Sequence, residues 1–300
     1  MSLKFGNTAI ALAALVALTV SGAAVARLDS VTLERAPSGH FLVPVTINGQ
    51  GPYTFLFDTG ASHTAIAQPV AETLGFRSEW NRTDDVQSLT TRFEAERFAL
   101  NRFEFATTGP MLIDSVVIPD SADNPNPIDG LLGADAINAR RYAMDFSAGT
   151  LTFHAAPAQI ADGRVSPIGL LLSRAHLQRG VSHINVIIDS GSALSIVNQR
   201  LARYIRHRSG TVRYNINGVD DDVDIEAAPV NVRRFQIGGL CVDRFPALQA
   251  DLDVFSAQGW DHEPAMILGM DVLQYATISI DRDSGIVQID ASDASHSCAR

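Results

Sequence analysis

Lysine is nearly absent from this 300-residue chain: Lys4 is the only one, so beyond residue 26 all 22 basic side chains are arginine. That bias reads as coding composition rather than function. Acids outnumber bases 33 to 23, a formal net charge of -10, and without residues 1–26 the balance is 22 - 33 = -11. Such a chain lacks the basic footprint that phosphate backbones require, so no nucleic acid is expected as a partner. Charged residues are 19% of the total against 46% hydrophobic, too few for a disordered polyelectrolyte and enough apolar content for one or two sizeable cores. No run of like charge exceeds Asp220-Asp221-Asp222. The eight histidines show no His-Glu-x-x-His or similar spacing, so neither a metal nor another cofactor is expected. Ser62 lacks the Gly-x-Ser-x-Gly elbow, and Gly210–Gly218 is no phosphate loop. The two tryptophans, Trp80 and Trp260, read as packing residues. With only Cys241 and Cys298 available, one disulfide is the most the chain can form; in an exported protein it would close the C-terminal tail onto the second half. The sequence leaves open whether the two meet.

What is present begins with an export signal. Lys4 supplies a positive start, Thr8–Val20 an apolar run of 13 residues, and Ala24-Val25-Ala26 a small-x-small cleavage site. The apolar run falls short of the roughly 20 residues a membrane span needs. The pattern predicts a signal peptide over 1–26, a mature chain from Arg27, a periplasmic or secreted location, and no stable membrane insertion after cleavage.

The mature chain is a duplication. Residues 145–153, Asp-Phe-Ser-Ala-Gly-Thr-Leu-Thr-Phe, align with 281–289, Asp-Arg-Asp-Ser-Gly-Ile-Val-Gln-Ile, at an offset of 136. Gly133 and Gly269 share that offset. Each nine-residue block is a turn followed by an alternating strand, the end of a hairpin. The predicted lobes are 27–156 and 165–300, joined by a linker over 157–164. Within the first, Phe41–Ile47 and Tyr53–Phe57 read as strands joined at Asn48-Gly49, 67–74 as a short helix ended by Gly75, 86–105 as a hairpin reaching away from the core, and 120–127 as loop. In the second, 198–208 reads as helix and 212–225 as a hairpin turning at Asn217-Gly218. Short strands between turns, with few helices, make the fold class all-β.

Each half also delivers an acid. Tyr53-Thr54-Phe55-Leu56-Phe57 runs into Asp58-Thr59-Gly60-Ala61-Ser62, and Ile184-Asn185-Val186-Ile187-Ile188 runs into Asp189-Ser190-Gly191-Ser192. Downstream come Gly130-Leu131-Leu132-Gly133-Ala134-Asp135 and Met266-Ile267-Leu268-Gly269-Met270-Asp271, with Asp-to-Gly intervals of 75 and 80 residues. One Asp-Thr-Gly or Asp-Ser-Gly is a common turn, but four matched elements in order are not. Together they resemble the active-site loops of aspartic proteases, retropepsin-like and pepsin-like. After the first Thr-Gly this chain has Ala61, as retropepsins do, and no tyrosine lies in 86–105, where pepsins carry a flap tyrosine; the pattern is similar to two fused retropepsin units.

The resemblance implies a bilobal acid-protease fold, with two similar β-barrel-like lobes and a cleft between them. Asp58 and Asp189 would form a dyad sharing one proton and activating a water. Thr59, Gly60, Ser190, Gly191 and Ser192 would support it, and flaps would form near Ser88, Leu89 and Thr90 and near Asn217, Gly218 and Val219. The implied activity is an aspartic endopeptidase, a monomer acting on extended polypeptides and free of cofactors; the alternative is a non-catalytic peptide-binding or scaffold module. A glycoside hydrolase with paired carboxylates explains neither the Thr-Gly and Ser-Gly partners nor the duplication. The 31 positions from Arg27 to Asp58 hold the first strands, so no long basic prosegment is expected. Asp135 and Asp271, ahead of helix-like segments, read as helix caps, and His63 as a structural or exposed side chain rather than a base.

Overall fold

The computed structural model describes residues 29–77, 82–106, 108–119, 128–178, 180–205, 214–217 and 224–299. The export segment, Trp80, the loop 120–127, Gly218, Val219 and the acidic run 220–222 lie outside the described residues. The rest is an all-β, two-lobed molecule with a few short helices.

Each lobe closes six strands on themselves. In the first, the order is Phe41–Ile47, Gln50–Phe57, Gly130–Leu132, Ala65–Ala67, Met111–Ile118 and Arg92–Phe105, and the last returns to the first through Val45↔Phe105 and Ile47↔Phe103. The second lobe repeats it with Leu171–Leu177, Val181–Ile188, Ala265–Leu268, Ile196–Val197, Leu240–Gln249 and Asp224–Ile237, closed by Ala175↔Ile237 and Leu177↔Phe235. Closure removes the sheet edges that would otherwise invite another chain. Strand alternation drives it: Phe41, Val43, Val45 and Ile47 are buried, while the residues between them are more open. Phe55 and Phe103 meet edge to face inside, ring centres 5.6 Å apart.

The repeated hairpins join the lobes. Arg141–Asp145 pairs antiparallel with Ala276–Asp281, and Ala143 stands opposite Ser279, its own counterpart at the offset of 136. The local two-fold therefore passes between those two residues. Their turns match as well: Asp145 Oδ1 accepts from the amides of Ser147 and Ala148, and Asp281 Oδ1 from those of Asp283 and Ser284. Arg282 ties the halves further, donating to the carbonyls of Ile137 and Ala134 at 2.7 and 2.6 Å. The segment expected as a linker ends in a strand, Gly163–Val165, which bridges 171–173 and 286–287.

The helices are shorter than the sequence suggested. Gln68–Thr73 and Gln199–Ala202 replace 67–74 and 198–208, with Asn198 capping the second by accepting from Leu201 N; residues 206–208 lie outside the described part. Cys241 and Cys298 are joined, with Cα atoms 5.7 Å apart. Cys241 N donates to His296 O, so the tail is hydrogen-bonded beside the bridge as well.

Candidate active site

Both acids stand where a buried strand stops. Phe55–Phe57 runs parallel to Gly130–Leu132, and 185–188 parallel to 265–268. The amide of Asp58 donates to Leu132 O and that of Asp189 to Leu268 O, at 3.1 and 3.0 Å, the last ladder bonds before each chain turns. The backing Leu-Leu and Ile-Leu strands thus fix the height at which each carboxyl leaves its sheet.

The two turns are bolted together. Thr59 N donates to Ser190 Oγ and Ser190 N to Thr59 Oγ1, both at 3.0 Å. Each hydroxyl then donates to the strand beneath the opposite acid: Thr59 Oγ1 to Ile188 O at 2.9 Å, Ser190 Oγ to Phe57 O at 2.8 Å. Every donor and acceptor in this buried knot has a partner, the condition under which such a network rigidifies rather than destabilises. Gly60 and Gly191 let the loops come this close. A Cβ on Gly60 would lie 2.5 Å from Asp189 Oδ1, and one on Gly191 2.6 Å from Asp58 Oδ1 and Oδ2. Each carboxyl sits over the other lobe's glycine, and the two face each other.

Their hydrogen bonds are not equal. Gly60 N donates to Asp58 Oδ1 and Gly191 N to Asp189 Oδ1, both at 2.8 Å. Asp189 Oδ2 also receives Ser192 Oγ at 2.7 Å, where the first loop has Ala61 and no hydroxyl. Burial pushes Asp58 well above the usual carboxylate range; the charge of Asp189 and a hydrogen bond shared with it push the same way, and the amides of Gly60 and Ala61 pull back. The Ser192 hydroxyl therefore serves Asp189 alone, and Asp58 has no side-chain donor in the matching place of its own loop.

The dyad forms the floor of a cleft of about 1280 Å³. Leu42, Leu56, Val116 and Leu131 line one wall, Ile168, Leu170 and Val254 the other. Over it hangs the hairpin of Thr83–Gln87 and Arg92–Phe105. Its tip is a tight turn in which Ser88 Oγ accepts from the amides of Thr90 and Thr91 and donates to Thr91 O. The hairpin begins at Thr83, three residues before the expected 86, and its tip rests on the second lobe. Leu89 packs against the second lobe's buried cluster, to which Val254 and Phe255 belong, and Leu89 O accepts from Val254 N at 3.4 Å. In the second lobe, Tyr214–Asn217 pairs with the start of Asp224–Ile237, placing Asn217 at the base of the corresponding hairpin, whose tip lies outside the described residues.

A profile of the aspartyl protease family matches residues 43–136 and again 177–272, one match for each acid loop. This chain belongs to the aspartyl protease family. No curated protein matches it.

Within this aspartyl protease, Asp135 and Asp271 are not helix caps. Gly133 and Gly269 hold the N-cap positions. The two acids instead grip the returning chain: Asp135 Oδ1 accepts from Thr64 N and Oγ1 at 2.8 and 2.7 Å, and Asp271 Oδ1 from Ser195 N and Oγ at 3.0 and 2.7 Å. Asp271 Oδ2 is buried without a partner, and burial raises this carboxyl to about 6 against the pull of the Ser195 hydroxyl and amide. His63 lines the cleft with its Nδ1 on Ser62 Oγ at 2.9 Å.

The cleft residue that sequence reasoning passed over is His40. It precedes the first barrel strand, with Nδ1 2.9 Å from Ser38 Oγ, and lines the cleft together with Gly191 and Asp189 of the other lobe. A lone histidine before an apolar strand carries no local signal. Comparing the two halves supplies one. Leu42 pairs with Leu56 two residues before Asp58, and Leu172 with Ile187 two residues before Asp189, so the counterpart of His40 is Leu170.

Proposed function

We propose that this protein is an aspartic endopeptidase that hydrolyses peptide bonds within extended polypeptide segments, with Asp58 and Asp189 as the catalytic pair. The observation that carries this reading is the meeting of the two carboxyls over opposing glycines, on loops cross-linked by reciprocal hydrogen bonds, at the floor of one long cleft. In that frame the ionised carboxylate takes a proton from water as the water oxygen adds to the peptide carbonyl, and the protonated carboxyl gives its proton to the carbonyl oxygen. Collapse then breaks the C–N bond. The amine takes a proton from one carboxyl, a hydroxyl of the intermediate returns one to the other, and the pair regains its single proton. The closed hairpin over an apolar-walled cleft favours an extended chain with apolar side chains beside the cleaved bond.

Export and a monomeric state belong to the same proposal. The Cys241–Cys298 bridge suits an oxidising compartment. The test is digestion of an unfolded polypeptide with the products sequenced by mass spectrometry. Internal cleavage by the parent, absent in a folded Asp58→Asn variant, is the expected result. A parent that binds the chain without cutting it would make the protein a peptide-binding module instead.

A further inference from the structure

We propose that Arg97 makes the first-lobe side of the cleft a subsite for a carboxylate, so that the enzyme selects extended chains carrying a glutamate at one fixed place relative to the cleaved bond. This rests on the endopeptidase reading and narrows its substrate. Arg97 stands in the strand Arg92–Phe105, opposite Val116 and two residues from the buried Ala95, so it shares the strand face that packs on Leu56, Val116 and Leu131. With those three residues it lines the cleft. The fold does not require an arginine there. Ala65 and Ile196 each follow their acid by seven residues and pair in parallel with Val116 and Leu248. Across the next ladder Val116 stands opposite Arg97 and Leu248 opposite Pro229, so the second lobe fills the same place with proline.

The guanidinium is loosely held by its own neighbours. Nη2 lies 3.4 Å from Asp114 Oδ2, an oxygen that Arg82 already holds at 2.8 Å. Nε lies 3.4 Å from Asp84 Oδ2, and it is buried without a hydrogen-bond partner. A carboxylate arriving from the cleft supplies the short, charge-assisted bonds that these two acids do not. Solvation fixes the sign of the pocket. The Arg97 side chain is 11% exposed, those of Asp84 and Asp114 55% and 44%, so water screens the acids far more than the arginine and the field inside is positive. At the rim, Asp85 and Arg92 are both exposed and 3.7 Å apart, and they offset each other. The Leu56, Val116 and Leu131 floor takes the methylenes of a glutamate, whereas a lysine would bring a second cation to Arg97. The net charge of the whole chain is -10 and draws cationic peptides, so a preference for glutamate can arise only from this local contact.

The experiment walks a single Glu, Gln or Lys along one short apolar peptide and measures kcat/KM for each. In the parent, Glu exceeds Gln by roughly 10-fold at one position, with Lys below both, and the gap persists at about 0.5 M salt because the contact is enclosed. Arg97→Met keeps an unbranched apolar stem and brings the Glu to Gln ratio at that position to about 1; a purely structural role would slow both peptides together and leave the ratio as it was. Arg97→Lys gives an intermediate ratio, a point charge replacing the fork, and carries the comparison if Arg97→Met does not fold. Binding of the same fluorescently labelled peptides to Asp58→Asn, with and without Arg97→Met, reads the preference without cleavage. Equal kcat/KM for Glu and Gln at every position in the parent, or a Glu preference undiminished in the variants, would overturn the proposal. If the parent cuts no peptide while the Glu peptide binds more tightly than the Gln peptide and Arg97→Met removes the difference, the endopeptidase reading fails and the Arg97 subsite stands.

Discussion

Replacing Asp271 by asparagine should stabilise this protein at neutral pH, although a buried hydrogen-bonded carboxylate is being removed. Asp271 Oδ1 is well served by Ser195, but Oδ2 is enclosed and unpartnered, so the ionised form is disfavoured in the fold and the pKa rises from 3.8 to about 6. The folded state thus binds this proton more tightly than the unfolded chain does. The resulting stabilisation is fully present below about pH 4 and is lost as pH rises through about 6. A shift of about 2 units corresponds to roughly 2–3 kcal/mol at pH 7.5. Asparagine keeps the acceptor for Ser195 and carries no charge at any pH. Relative to parent, Asp271→Asn should therefore gain stability between pH 4.5 and 7.5 by up to about that amount, or roughly 4–10 °C in Tm. Thermal unfolding at both pH values, in an Asp58→Asn background to prevent self-digestion, measures it. Equal destabilisation of Asp271→Asn at the two pH values would refute the reasoning.

Three further outcomes follow from the site. Ser190→Ala strands Phe57 O and Thr59 N in a dry interface and should cost about 2–4 kcal/mol in urea unfolding; a loss under 0.5 kcal/mol would mean that the cross-link contributes little. Ala61→Ser gives Asp58 the hydroxyl that Asp189 has in Ser192, which should lower the alkaline limb of kcat/KM by about 1 pH unit; an unmoved alkaline limb would show that the added hydroxyl does not reach the carboxylate. Leu89→Ala removes the hairpin's anchor on the second lobe and should speed hydrogen exchange at the Val254 amide by roughly 5–30-fold; unchanged exchange would mean that the tip is held by its own turn.

Much of this architecture could be read locally. A strand ending in Asp-Thr-Gly or Asp-Ser-Gly, a Leu-Gly or Leu-Leu-Gly strand 75 or 80 residues on, and a hairpin repeated at an offset of 136 are short patterns, and the structure assembles them into two barrels and a shared sheet. The misreadings arose where a distant partner overrode a local rule. An acid before a helical turn favours capping, yet Asp135 and Asp271 are claimed by Thr64 and Ser195, 71 and 76 residues away. The 88–91 turn was legible as a tip, but the seat of Leu89 against the second lobe's buried cluster depends on how the lobes pack. His40 was invisible by itself, because only strand register reveals Leu170 as its counterpart. The 57-residue separation of Cys241 and Cys298 likewise held no information on the distance between them.

The central claim is that Asp58 and Asp189 act as one unit, and a double-mutant cycle on kcat/KM tests it most directly. Asp58→Asn and Asp189→Asn should each lower kcat/KM by roughly a thousandfold or more, and the double variant should be scarcely worse than either, because removing one carboxyl already abolishes the shared-proton step. Circular dichroism and unfolding curves like those of the parent would show that each variant is folded. Independent, multiplying losses, or a folded single variant that still turns over at a substantial fraction of the parent rate, would contradict the account.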